Sequence, residues 1–171
     1  ALAKNIRAIE EAIGSAFPGL EVRRAFTSGM IIKKLKKRDN VHVCTVREAL
    51  ESFLADGFTD LVVQPTHIIN GIENDAMRDD LRSYRDRFHS IRVGDPLLTD
   101  RSDYRLLIDA LAKSFSGLKD DEFLVLMGHG TEHHANAVYP ALDYMLKPLR
   151  YGKFCQTMDY FRSVSQRKRS H

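Results

Sequence analysis

The sequence predicts an α/β protein built on parallel strands, and three observations predict it. Short apolar runs alternate along the chain with amphipathic helical patterns. Each run ends in turn-forming residues and passes into a helix-length segment, the order that calls for crossover connections and parallel pairing. The composition, 43% hydrophobic and 29% charged over 171 residues, suits one globular domain or two lobes sharing a core.

The elements follow in order. Leu2, Ile6, Ile9, Ile13, Ala16 and Phe17 recur at three- and four-residue steps and predict a helix over residues 2–17, closed by Pro18-Gly19. Residues 20–27, with Val22 and Phe26, read as a strand, and Ser28-Gly29 turns it into a lysine-rich helix with Met30, Ile31, Ile32 and Leu35. Thr45-Val46-Arg47-Glu48 has the form of a capping box and opens a helix running to Gly57. Leu61-Val62-Val63 reads as a buried strand that ends in Gln64-Pro65-Thr66-His67, and residues 72–88 as a long charged helix with Met77, Leu81 and Tyr84 inward. Ile91-Arg92-Val93 is a short strand, and residues 104–115 a helix. Residues 123–127 are the most apolar strand, leading through Gly128-His129-Gly130 into a helix over 131–149 that Pro140 bends.

Composition excludes several classes. No apolar run is long enough to span a bilayer, and no export signal is visible, so a cytoplasmic protein without a membrane partner is expected. Cys44 and Cys155 lie far apart with no paired spacing, which argues against a disulfide framework or a cysteine zinc site. The net charge of +3 resides in Arg162, Arg167, Lys168 and Arg169, leaving 22 basic against 23 acidic residues before them. That distribution removes the case for a nucleic-acid protein built around a basic surface.

In a parallel sheet, ligands sit where strands end and helices begin. Thr27-Ser28, Thr66-His67 and His129-Gly130-Thr131 are the polar residues expected at that edge. In Gly128-His129-Gly130-Thr131-Glu132-His133-His134 the glycines permit a sharp turn, with Thr131 as a cap and Glu132 in the first helical turn. His129 at the positive end of a helix stays neutral, free to bind a metal or accept a proton; the other reading is a histidine that hydrogen-bonds within its turn. His133 and His134 are adjacent, about 100° apart on a helix, so they do not form a helical zinc pair. The lysine cluster of residues 33–38 reads as a solvated face or as a partner for an anion.

The segment Gly128-His129-Gly130-Thr131-Glu132-His133-His134-Ala135-Asn136-Ala137 closely resembles the signature of the anaerobic-type sirohydrochlorin cobaltochelatases, class II chelatases of the cobalamin pathway. Two further segments agree in order. They are Arg23-Arg24-Ala25-Phe26-Thr27-Ser28 with Ile32-Lys33-Lys34-Leu35, and Gln64-Pro65-Thr66-His67-Ile68-Ile69-Asn70-Gly71-Ile72-Glu73. The resemblance covers roughly residues 1–150. It implies two flavodoxin-like lobes, parallel sheets flanked by helices, and insertion of Co²⁺ as substrate ion into a sirohydrochlorin-type tetrapyrrole without a nucleotide. It places the metal-binding histidine on His129, which also helps take pyrrole protons, and a cleft-lining carboxylate on Glu73. His67 adjoins that motif as a substrate-binding candidate. Arg23, Arg24 and the cluster of residues 33–38 are candidates for the substrate's carboxylates. The family's metal-binding glutamate falls nearest Asp159.

Departures from the family set further expectations. Family members begin with a strand ending in a Ser-Phe-Gly-Thr-like turn, which this sequence lacks, and the second metal-binding histidine falls in a region without a counterpart here. The expected layout is a first lobe over residues 1–117 without its first strand, an incomplete second lobe over 118–160, and a disordered basic tail over 161–171. On that layout activity is impaired and the open sheet favours a homo-oligomer. The competing readings are a non-catalytic metal- or tetrapyrrole-binding module and an inactive remnant.

Overall fold

The structure is a computed structural model that describes residues 2–119, 122, 124–128, 130–146 and 154–155. Its elements run α1 (Leu2–Ala16), α2 (Gly29–Asp39), α3 (Val46–Ala55), β1 (Asp60–Val63), α4 (Ile72–Ser83), β2 (Ser90–Val93), α5 (Arg101–Ser114), β3 (Leu124–Val125), α6 (Val138–Leu146) and β4 (Phe154–Cys155). Helix and strand mix as expected of an α/β protein. β1 pairs with β2 in parallel, Leu61 opposite Ile91 and Val63 opposite Val93, so the crossover from one to the other carries α4. β3 pairs with β4, also in parallel. Beyond β1 and β2 the two segments stay together, since the Leu97 and Leu98 amides donate to the His67 and Ile68 carbonyls at 3.0 and 2.9 Å.

Helix starts follow from capping chemistry. Thr45 accepts from the Glu48 amide while the Glu48 carboxylate accepts from the Thr45 amide, the reciprocal pair expected of that tetrapeptide. α5 begins at Arg101, three residues earlier than periodicity indicates, because Asp100 and Asp103 build the same reciprocal cap with aspartate in the third position. Each such cap contributes about 1 kcal/mol.

Two apolar clusters position the rest. Val46 and Leu50 of α3, Leu61 of β1, and Met77 and Leu81 of α4 pack with Tyr84 and Phe88. Leu98, Ile108, Leu142 and Leu146 form the second cluster, which joins α5 to α6. Burying side chains of this size contributes about 1.5–3 kcal/mol each. Among the described residues no helix is long and apolar enough to cross a membrane.

Four expectations are corrected. Residues 20–27 form a single parallel bridge, Phe26 to Thr45, instead of a strand; Arg23 and Arg24 in this segment turn to carboxylates on α1 and just after α3. β1 is not buried on both faces. Leu61 points into the core, whereas Val62 is 74% exposed opposite the exposed Arg92. α4 stops at Ser83 and gives way to a 3₁₀ turn over Arg85–Arg87, because the inward Tyr84 donates its hydroxyl to Glu51 and its amide to the Leu81 carbonyl. The helix expected from residue 131 begins only at Val138, after a 3₁₀ turn over His134–Ala137. Pro140 therefore sits in the first turn of α6, where a proline's missing amide is tolerated. The tail over residues 161–171 lies outside the described residues.

Candidate functional site

The strand-end edge is built from three stretches of chain. The first is the segment after the Phe26 bridge, where Thr27 and Ser28 precede α2. In the second, the chain leaves β1 through Gln64-Pro65-Thr66-His67 to Gly71, the N-cap of α4, and Glu73 and Asp75 lie in the first turn of that helix. The third is the turn after β3, residues 128 and 130–137.

The first two stretches meet directly. Thr27 Oγ1 lies 3.0 Å from His67 Nε2. Burial of the ring pushes the His67 pKa down, while the Glu73 charge and the neighbouring Asn74 amide oppose that shift. His67 Nδ1 and Asn74 Oδ1 are both buried, and neither has a hydrogen-bond partner of ordinary geometry among the described residues. Asn74 is 1% exposed and its amide donates to Asn70 Oδ1, closing the loop that leads into α4. His67 is thus held as a neutral imidazole beside the carboxylate of Glu73, whose side chain is exposed.

The second and third stretches meet through His133. Its Nε2 lies 3.0 Å from Asp75 Oδ2, 58 residues away in sequence. The turn itself is tied by side chains. The Thr131 amide donates to Asn136 Oδ1 at 3.0 Å, and the His133 amide donates to Thr131 Oγ1 at 3.2 Å. The Ala135 amide donates to His133 Nδ1 at 3.2 Å. The Ala135 and Asn136 amides, bound to His133 Nδ1 and to the His133 carbonyl, are ones that a helix from residue 131 would use, so α6 starts late. Thr131 caps this turn instead of a helix. Gly130 has φ +70°, a conformation that favours glycine, and a Cβ on Gly128 would lie 2.5 Å from the Tyr139 ring.

The sequence-derived residues separate into groups. His67 and Glu73 come together, and the turn that follows β3 joins them through Asp75. Arg23 and Arg24 do not join them. The Arg23 guanidinium lies 4.4 Å from the Phe53 ring centroid and 5.5 Å from that of Phe58, and pairs with Asp56 at 2.6 Å. Arg24 makes a two-pronged pair with Glu10, which holds that carboxyl below the usual carboxylate range. Arg24 and Glu10 also line an open depression of about 470 Å³ with Phe26, His42 and Cys44; neither His67 nor Glu73 lines it. His129 and Asp159 lie outside the described residues. Among the described residues no group of three histidine, cysteine, aspartate or glutamate side chains converges as a metal cluster.

Sequence reading missed Asp75, Asn74 and the role of His133. The acidic first turn of α4 is visible as Glu73 and Asp75, but nothing local distinguishes the aspartate that meets a histidine from the other acids of that helix.

Comparison with known proteins identifies the family. A family model described as cobalt chelatase (CbiK) matches residues 1–161. The sirohydrochlorin cobaltochelatase of Salmonella typhimurium is 40% identical over 148 residues, covering 86% of this chain and 56% of that protein. The sirohydrochlorin cobaltochelatase CbiKC of Nitratidesulfovibrio vulgaris is 36% identical over 149 residues, 83% of this chain and 51% of that protein. The chain spans about half the length of the curated relatives it matches.

Proposed function

Because the chain belongs to the cobalt chelatase (CbiK) family, we propose that the protein inserts Co²⁺ into sirohydrochlorin. The observation that carries this reading is the family match over residues 1–161, which includes all three stretches of the strand-end edge. His67 beside Glu73, with the turn after β3 held to the same helix through Asp75, supports the reading.

Metallation replaces both pyrrole N–H protons by the ion, so one Co²⁺ and the free macrocycle give the cobalt complex and two protons. His129 is the ligand that strips water from the ion and presents it to one ring face, with Asp159 as a second donor of the kind a borderline ion accepts. Glu73 takes a pyrrole proton as general base. His67, kept neutral by burial beside Glu73, is a substrate-binding residue at the same edge. No nucleotide step is needed, because chelation by the ring nitrogens drives the exchange.

The polycarboxylate substrate calls for cations at the rim. Arg23 and Arg24 already hold Asp56 and Glu10, so substrate binding there exchanges one carboxylate for another. The exposed Lys33, Lys34, Lys36 and Lys37 of α2 follow directly on Thr27 and Ser28 and bind anions without that exchange. The two separate parallel pairs support a first lobe over residues 1–117 and a second beginning at 118. A cytoplasmic protein with neither membrane nor nucleic-acid partner, able to self-associate, completes the proposal.

The test is cobalt insertion followed by tetrapyrrole absorbance. Turnover by the wild-type protein, with a loss of two to four orders of magnitude in His129→Ala from removing a metal ligand that also helps take pyrrole protons, is expected. Equal rates for the two proteins reject the assignment.

A further inference from the structure

We propose that His133 is a positioning residue: with Asp75 it clasps the turn at Gly130 and Thr131 to the first turn of α4, which sets where Glu73 stands against that turn. This inference rests on the chelatase reading above, which gives Glu73 its role.

The hydrogen bonds fix the state of the ring. The Ala135 amide donates to His133 Nδ1, so that nitrogen presents its lone pair and the ring proton sits on Nε2. Nε2–H then donates to Asp75 Oδ2 at 3.0 Å. The histidine side chain is 14% exposed against 54% for the aspartate, so the bond is sheltered on the side of the turn. The His134 ring packs against the His133 ring at 3.9 Å between centroids and limits its rotation. On the backbone side His133 is held twice more, by its amide to Thr131 and by its carbonyl, which accepts from the Asn136 amide at 3.0 Å. One imidazole thus joins the folded turn to the helix that bears Glu73.

Magnitudes argue for positioning over stability. A pair with one partner half exposed contributes little to folding, and the two apolar clusters are built from other residues. By contrast, a shift of about 1 Å between groups that must act together costs on the order of 100-fold in rate. Loss of the clasp should therefore spare the fold and slow the reaction.

The experiment compares His133→Ala, Asp75→Ala, Asp75→Asn and the double alanine variant in cobalt insertion, with melting curves for each. Either single alanine variant is expected to lose about 10- to 100-fold in kcat, with KM for the tetrapyrrole and the melting temperature near wild type. Asp75→Asn keeps a carbonyl acceptor for Nε2–H and is expected to retain most activity. The double variant should be no slower than the slower single one. Unchanged kcat in both alanine variants, Asp75→Asn as slow as Asp75→Ala, or multiplicative losses in the double variant would overturn the clasp. Ring ¹⁵N spectra read the clasp without turnover, so a wild-type protein that inserts no cobalt rejects the chelatase reading alone. The Nε2–H tautomer should be fixed in wild type and averaged in Asp75→Ala; an averaged ring in wild type overturns the inference by itself.

Discussion

Replacing Gly128 by alanine tests whether the turn after β3 is packed as described. The new Cβ would lie 2.5 Å from Cε1 and 2.7 Å from Cδ1 of Tyr139. Carbon atoms in contact sit about 3.5–4.0 Å apart, so the ring or the turn must retreat by roughly 1 Å. Overpacking of this kind costs about 1–3 kcal/mol. Reduced freedom of the unfolded chain offsets about 0.4–1 kcal/mol of that. The net loss of about 0.5–2 kcal/mol corresponds to a fall in Tm of roughly 2–6 °C for a chain of this size. Gly130→Ala is the control. Its Cβ would meet Asn136 Oδ1 at an ordinary 3.5 Å, so its cost is the left-handed backbone alone, about 1–2 kcal/mol. A thermal melt followed by circular dichroism, repeated in a Tyr139→Ala background, separates the two causes. Removing the ring should erase most of the Gly128→Ala penalty and leave that of Gly130→Ala intact. A Gly128→Ala protein that melts at or above wild type, or whose penalty is unchanged without the Tyr139 ring, refutes the packing argument.

Leu50 is 3% exposed at the centre of the first cluster, so Leu50→Ala should cost about 2–5 kcal/mol, read as a shift in denaturant midpoint; a shift under 1 kcal/mol contradicts its placement. At the start of the sheet, Asp60 accepts from Ser90 and His89, which holds its carboxyl well below the usual carboxylate range and pushes the His89 pKa up. The carboxylate contribution is present above an unfolded pKa of about 3.9 and lost as pH falls through the lower folded value. The imidazolium contribution is full below an unfolded pKa of about 6.5 and lost as pH rises through the higher folded value. Their coupling should peak between those limits, and the stability difference between wild type and Asp60→Asn should be largest near pH 5; a flat difference from pH 4 to 8 contradicts the pairing. His67 carries the opposite sign for a histidine, since burial lowers its pKa: stability should fall as pH drops below about 6.5, and His67→Gln should flatten that slope.

What the sequence made legible was short-range. Thr45 and Glu48 announce their cap because a reciprocal hydrogen bond needs only three residues of spacing. Leu61-Val62-Val63 and Ile91-Arg92-Val93 pair as read, since a strand, a helix and a strand leave few other arrangements. The miss at residue 131 has the same scale but a hidden competitor. Thr131, His133 and Asn136 are three polar side chains close enough to bond the backbone themselves, and they outbid helix formation until Val138. The late start also moves the helix N-terminus away from the Gly-His-Gly turn, so the dipole argument made for His129 loses its helix. Arg23 was legible as a cation but not as one lying over the Phe53 ring near Phe58, because that environment is assembled from a helix and its following turn about thirty residues later. The Asp75–His133 bond, across 58 residues, has no local signature at all.

The central claim is that Glu73 and the turn bearing His129 act on one substrate at one sheet edge. The most direct measurement is a single turnover with protein in excess of sirohydrochlorin and saturating Co²⁺, followed by stopped-flow absorbance of the macrocycle. The expected result is rapid conversion in one exponential for wild type, slowed at least tenfold in Glu73→Gln and in His129→Ala while tetrapyrrole binding persists. Conversion at the wild-type rate in both variants would contradict the account.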